Sequence, residues 1–276
     1  MKPVRFIQVI FLCIFFLSCQ KEFSDPTPVT PPIVINTDAG KFIDSIGITD
    51  NGQKSAINLL VTQLKDSLLW NKFLAIYPMI GGTPLSTSYN LMDPRNSDGA
   101  YRLTFHGNPM FNSTGILFPT TTDYADTHLV DSVVDYNNSS ISYFSLTQNT
   151  VDGYDMGCAD HSGPYNEFAI FNSSDASNWF GYYAYGVNPL NTKGLFLISS
   201  TSSDVKRYDN SVVTSSKGSA PDAGYTNLPI LIGTVLGADS GGQRECGFAS
   251  IGYGLTDAQA LTFYNIVQNY EAALGR

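Results

Sequence analysis

The densest aromatic run of the chain, Trp179-Phe180-Gly181-Tyr182-Tyr183-Ala184-Tyr185, carries the residue types that stack on sugar rings. On an extended strand side chains alternate, so Trp179, Tyr183 and Tyr185 share one face and Phe180 and Tyr182 the other. One face must be core. The second, if exposed, offers flat aromatic surface with hydroxyl groups for a ligand; the competing reading has both faces covered. Cleaving a glycosidic bond asks for a different set, two carboxylates about 5–10 Å apart. The chain has only four glutamates, Glu22, Glu167, Glu245 and Glu271. Glu167 and Glu245 are the pair that could meet in space, and two separate solvated carboxylates is the simpler expectation. Aspartate pairs stay open. Cys158-Ala159-Asp160-His161 gathers three metal-ligand types in four residues. Zinc needs a fourth ligand and usually a second spaced pair, so this stretch reads as a polar loop and no metal is assigned.

Ala238-Asp239-Ser240-Gly241-Gly242 resembles the nucleophile segment of trypsin-type proteases. That chemistry also needs a histidine base ahead of the serine, oriented by a separate aspartate. None of Thr104-Phe105-His106, Asp126-Thr127-His128 or Asp160-His161 resembles the family's histidine segment. Gly, Ser and Asp are common turn formers, and a turn is the reading.

The N-terminus speaks about location. Lys2 and Arg5 precede an apolar run from Phe6 to Leu17, followed by Ser18-Cys19 and the polar Gln20-Lys21-Glu22. The run is 12 residues long, short of the roughly 20 that span a bilayer. A short apolar core behind a basic start reads as a secretory signal. With Cys19 directly after it, residues 1–18 resemble a bacterial lipoprotein signal, which implies cleavage before Cys19 and acylation of that residue. Cys-Gln-Lys-Glu is also similar to the start of Bacteroidota lipoproteins, some of which display their domains on the outer face of the outer membrane. Residues 19–40 hold Pro26, Pro28, Pro31 and Pro32 and read as a lipidated, extended tether.

Removing residues 1–18 takes Lys2 and Arg5 and no acid, so the formal charge moves from −9 to −11. An acidic surface without a basic cluster argues against nucleic acid as a partner. Of four cysteines, Cys158 and Cys246 remain after cleavage and acylation. They could pair in an oxidising compartment or stay two buried thiols.

The elements that must position these groups follow from periodicity. Ala56, Ile57, Leu60, Val61, Leu64 and Leu68 recur at helical spacing behind Thr49 or Asp50 as cap. Short apolar runs divided by Asn-, Asp-, Gly- and Ser-rich connectors follow: 70–80, 101–105, 115–118, 141–146, 167–171, 179–185, 194–199, 228–235 and 248–253. Many short strands without interleaved helices predict an all-β antiparallel sandwich. Gly254-Leu255-Thr256-Asp257 opens a closing helix with Leu261, Tyr264, Val267, Tyr270 and Leu274 as its apolar face. The expected architecture is one helix, a jelly-roll sandwich over residues 41–276, and one helix.

Phe248-Ala249-Ser250-Ile251-Gly252-Tyr253-Gly254-Leu255-Thr256-Asp257 with Phe263-Tyr264 resembles the closing segment of concanavalin A-like, laminin-G-type domains. Trp70 to Gly82, Asn90-Leu91, Asp93-Pro94-Arg95 and Tyr124-Ala125-Asp126-Thr127 are similar to sandwich domains of tailed-phage and environmental bacterial proteins. The resemblance implies the fold and leaves lectins, glycosidases and adhesion modules open. The Glu-x-Asp-x-Glu strand of laminarinase-type members is missing. Calcium, which such sandwiches often hold, is an unassigned option, with Asp93, Asn96, Asp98, Asp123 and Asp126 as loop donors lacking a regular spacing. The expectation drawn is a lipid-anchored outer-membrane protein with non-catalytic recognition, of a glycan in the first place. A protein-binding adhesive module or a glycan-active hydrolase with an aspartate-based site is the alternative. The motif search weighs against an enzyme.

Overall fold

The computed structural model describes residues 34–160, 166–172, 192–218, 225–235 and 241–276. Two helices open it: α1 (Thr37–Ile46) and α2 (Asn51–Asp66). Asn36 caps α1 by accepting from the Asp38 amide, and Gly47, at φ 69°, ends it in the left-handed region that favours glycine. Asp50 caps α2 through the Gln53 amide at 2.8 Å. Strand β1 (Phe73–Tyr77) follows, then a short helix α3 (Pro84–Ser88). The remaining strands among the described residues are β2 (Thr104–His106), β3 (Met110–Phe111), β4 (Ile116–Leu117), β5 (Tyr124–Val130), β6 (Ser139–Ser145), β7 (Gly153–Asp160), β8 (Asn166–Asn172), β9 (Gly194–Ser200), β10 (Asp204–Asp209), β11 (Val212–Gly218), β12 (Pro229–Ile232) and β13 (Glu245–Gly252). Helix α4 (Asp257–Ala273) closes the chain with a Thr256–Gln259 capping box.

The strands form two antiparallel sheets, as expected for a sandwich. One has eight strands in the order β11-β10-β9-β6-β13-β4-β3, with β1 also paired to β13; the other has five, β2-β5-β12-β7-β8. Between them lies a core that includes Tyr77, Phe118, Leu129, Ile141, Tyr143, Met156, Phe168, Phe196 and Ile251. A second core fills the outer face of the larger sheet, where Ile76, Phe144, Leu197 and Phe248 meet Phe42, Leu60, Phe263 and Tyr270 of the helices. Helices, large sheet and small sheet thus stack as three layers. Each fully buried Phe or Leu at these contacts contributes about 1.5–3 kcal/mol.

Three expectations change. Two helices precede the strands rather than one: α1 begins at Thr37, inside the stretch read as tether, and only Ala39, Phe42, Ile43 and Ile46 mark its buried side. Leu68 does not extend the α2 apolar face, because Ser67 ends the helix and Leu68 turns outward at φ 60°. The inward face of α4 is Ala260, Phe263, Ile266, Val267, Tyr270 and Glu271, which leaves Leu261 exposed. Phe263 and Val267, four apart, set that rotation against Phe248 and Phe73.

Candidate functional site

The edge of the small sheet brings together two segments 20 residues apart in sequence. In the β2–β5 ladder Thr104 faces Asp126, Phe105 faces Ala125 and His106 faces Tyr124. Along β5 Ala125, Thr127 and Leu129 point into the inter-sheet core, so Tyr124, Asp126 and His128 lie on the outer face. Thr127 is anchored by donating to the Ile230 carbonyl at 2.7 Å. His128 sits at φ 56°, a costly conformation for a residue with a Cβ. Its amide donates to Asp126 Oδ1 at 2.7 Å, which holds that turn.

The imidazole thereby comes to lie among polar partners. Thr104 Oγ1 is 2.8 Å from His128 Nε2. Asp98 Oδ1 lies 3.7 Å from the same nitrogen, and Asp126 Oδ1 is 3.9 Å from Nδ1. Arg102 Nη2 donates to Asp98 at 3.3 Å. The two carboxylates therefore lie at the two nitrogens of one ring, inside the roughly 10 Å over which a carboxylate pair acts on a glycosidic bond. The cluster is open to solvent, with Asp98 60% and His128 27% exposed. Beside it, His106 stacks on Tyr124 at 4.5 Å and Phe105 meets Phe111 edge-on at 4.8 Å.

A cavity of about 350 Å³ adjoins the cluster, lined by Pro84, Leu85 and Ser88 of α3 and by residues 102–105. Its α3 wall is fixed by a capping box in which Thr83 and Ser86 exchange hydrogen bonds, with Pro84 in the first turn. The Leu103 amide closes the junction by donating to the Ser88 carbonyl at 2.8 Å. Imidazole, hydroxyl and paired carboxylates beside a hollow are the groups of acid–base hydrolysis.

A second polar centre is sealed inside. Asp155 on β7 receives Arg244 Nη1 at 2.9 Å and Asn172 Nδ2 at 2.5 Å. Asn172 Oδ1 in turn accepts from Arg207, whose Nε reaches Asp209 Oδ1 at 2.8 Å. Burial pushes the Asp155 carboxyl up, with Arg244 pulling it down. The Tyr154 hydroxyl donates to Glu167 at 2.9 Å, and burial raises the phenol's pKa.

The sequence-derived candidates fare unevenly. Cys19, the aromatic set Trp179, Tyr183 and Tyr185, His161 and Ser240 lie outside the described residues. Cys158 and Cys246 are not joined: both are free thiols buried in the inter-sheet core. Cys246 Sγ turns along its own strand to the Phe248 carbonyl at 3.4 Å, while the Cys158 thiol faces Asp131 and Thr226. Cys158 and Asp160 belong to strand β7, not to a loop. Glu167 is buried against Tyr154 rather than solvated, and Glu245 instead meets Thr114 Oγ1 at 2.5 Å in the other sheet. Of the calcium donors, Asp98 and Asp126 meet at the two nitrogens of His128. Asp93 is held by Arg95, which keeps its carboxyl below the usual range, and Asp123 ties its own loop through Thr120 and Asn108. Among the described residues no group of three His, Cys, Asp or Glu is placed to hold a metal. The sequence offers Asp98 and Asp126 as calcium donors and 104–106 and 126–128 as histidine segments without joining them, and Arg102 is not singled out; the available signal is the period-2 pattern of residues 124–130, which puts Asp126 and His128 on one face.

No protein-family model matches the chain, and no curated protein does. Solved structures with similar architecture include domain 4 of AbnA, a GH43 extracellular arabinanase from Geobacillus stearothermophilus in complex with arabinotriose. It is 14% identical at a TM-score of 0.44, over 70% of this chain and 98% of that one. Trypanosoma rangeli sialidase in complex with 2,3-difluorosialic acid is 12% identical at a TM-score of 0.46, over 78% of this chain and 39% of the sialidase. The botulinum neurotoxin serotype D ligand binding domain in complex with N-acetylneuraminic acid is 12% identical at 0.42, over 72% and 52%. The chain thus spans well under two thirds of the sialidase and of the toxin chain. The likeness is one of general sandwich architecture. The expectation that the weight lies against an enzyme is withdrawn: a sialidase and a sialidase mutant displaying trans-sialidase activity stand among the similar structures.

Proposed function

We propose that the protein has a carbohydrate-associated role and acts as a glycan-active hydrolase at the outer edge of the small sheet. The observation that carries this reading is the convergence of Asp98, Asp126, His128 and Thr104 beside an open cavity. His128, held by Thr104, carries the proton; imidazole is the side chain best suited to that task near neutral pH. Asp126 orients the ring from behind through the backbone turn. Asp98, the more exposed acid, faces the solvent side where a sugar and the attacking water arrive. The His106–Tyr124 stack continues the same face and supplies flat surface for a neighbouring ring.

The test is release of reducing ends from a panel of polysaccharides by the intact protein. Asp126→Asn and His128→Ala should each lower the rate by about 100-fold or more, with the unfolding midpoint little changed. Full rates in both variants would sink the assignment.

The finer fold we propose is the concanavalin A-like jelly roll, supported by the closing segment 248–257. We also propose attachment through lipid at Cys19 in the outer membrane, with the domain facing the medium. Lys2, Arg5, the apolar run 6–17 and Ser18-Cys19 support this, and acyl chains contribute about 0.8 kcal/mol per buried CH₂. Cells fed a clickable palmitate analogue should label the natural chain and not Cys19→Ser; protease added to intact cells reads which side the domain faces.

A further inference from the structure

We infer that the cavity between α3 and β2 is a subsite for an acidic sugar, with Arg102 receiving its carboxylate; this rests on the hydrolase reading and names its substrate class. The wall is divided by chemistry. Pro84, Leu85, Leu103 and Phe105 supply apolar surface, and Leu85 is 57% exposed. Arg102 is the one cation among the lining residues, and Thr104 and Ser88 add hydroxyls. A pyranose ring has apolar faces and a hydroxylated rim, so it matches a wall of this kind. What singles out an acidic sugar is the state of the guanidinium.

Arg102 is under-used for a half-buried arginine. Its single side-chain hydrogen bond to a described residue goes to Asp98, at a long 3.3 Å. Its Nε is buried and has no hydrogen-bond partner. The Nε itself is sealed from solvent, but the side chain is 30% exposed, and the Nη end of a guanidinium presents a fork that fits a carboxylate in two-point fashion. Asp98 holds it weakly, being 60% exposed, so an incoming carboxylate can share or replace that contact. The rest of the molecule sharpens the selectivity: with a net charge of −9, the surface repels anions except where a cation is presented. Arg102 lies two residues before Thr104, the first residue of β2, and Thr104 is already bonded to His128 Nε2. A uronate bound at Arg102 would therefore place its neighbouring glycosidic linkage at the Asp98–His128 end of the cluster.

The experiment measures binding of three trisaccharides to the intact protein by calorimetry: an oligogalacturonide, its methyl ester and a neutral galactan trimer. A sulfated galactan trimer forms a fourth arm. The acidic trimer should bind at least tenfold more tightly than its ester and the neutral trimer, and the gap should shrink at high salt. Arg102→Gln should erase the preference, while Arg102→Lys, which keeps the charge and loses the fork, should retain part of it. Equal affinities in the natural chain, or a preference that survives Arg102→Gln, would overturn the subsite. A tighter grip on the sulfated trimer than on the uronate would overturn the carboxylate assignment. The hydrolase reading fails separately. If the acidic trimer binds through Arg102 but neither it nor any polysaccharide is cleaved, the subsite stands and hydrolysis falls. If neutral glycans are cleaved and the acidic preference is missing, hydrolysis stands and the subsite falls.

Discussion

Two polar centres of this sandwich use nearly the same side chains to opposite ends. At the β2–β5 edge, Asp98, Asp126, Arg102, His128 and Thr104 meet through contacts of 2.8–3.9 Å and remain open to solvent. At the far end of the same sheet, Asp155, Asn172, Arg207 and Arg244 are buried and Asp209 is half-buried, linked by direct hydrogen bonds that cross from β7 and β8 to β10 and the start of β13. The charges of the second centre are bonded to one another and serve to join the sheets. At the first, long contacts and exposure leave donors and acceptors free to exchange for a ligand. The comparison teaches that the residue inventory does not separate a staple from a site; exposure does, since the buried centre too holds an unpartnered donor, Arg244 Nε.

The largest effect that would sharpen this contrast comes from breaking the buried centre. Arg244→Met leaves Asp155 without its charge partner, and removal of one member of a buried pair costs about 3–5 kcal/mol. Urea unfolding should read that loss, whereas Asp98→Asn at the open cluster should shift stability by under about 1 kcal/mol. Equal losses in the two variants would dissolve the distinction between staple and site.

A smaller effect concerns a third acid, Glu271 on α4. Burial pushes its carboxyl up to about 7, although Arg276 Nε stands at 2.9 Å and pulls the other way. The two groups are close but not aligned for a hydrogen bond, and both Glu271 oxygens are buried without one. A carboxyl raised on folding favours the folded state most when protonated. That contribution is complete below the ordinary value of 4.5 and is lost as pH rises through about 7. The urea midpoint should therefore fall between pH 5 and pH 8, and Glu271→Gln should flatten that slope. A slope unchanged in the variant would mean that other groups set it.

The smallest expected effect is none at all. Because Cys158 and Cys246 are separate buried thiols, a reductant should leave the thermal midpoint of the intact protein where it was. A drop of several degrees would reveal a bond between them.

Strands with one inward and one outward face, or with a long apolar run, were readable: β6, β9, β12 and β13 fall where short apolar stretches predict them. The stretches that hid were those whose polar residues are buried in pairs. Residues 204–209 read as a connector because Arg207 and Asp209 look like surface charges, yet they neutralise each other in β10. Residues 153–160 lack alternation because both faces of β7 are covered and Asp155 is sealed by Arg244. The candidate site was legible in pieces only: the 104–106 and 126–128 segments each stood out as histidine-bearing, and neither contains a motif.

Sequence alone determined the things that local chemistry controls. Capping residues at Asp50 and Thr256 set helix starts, turn-rich punctuation set a sandwich of short strands, and a scarcity of glutamates set against a glutamate-pair glycosidase. Tertiary structure decided what depends on distant partners. Strand register placed Thr104 opposite Asp126, and the His128 turn brought its ring within reach of Thr104 and Asp98. Registry and burial arise from pairing segments far apart in the chain, and that pairing is fixed by the shared core between the sheets rather than by any one segment.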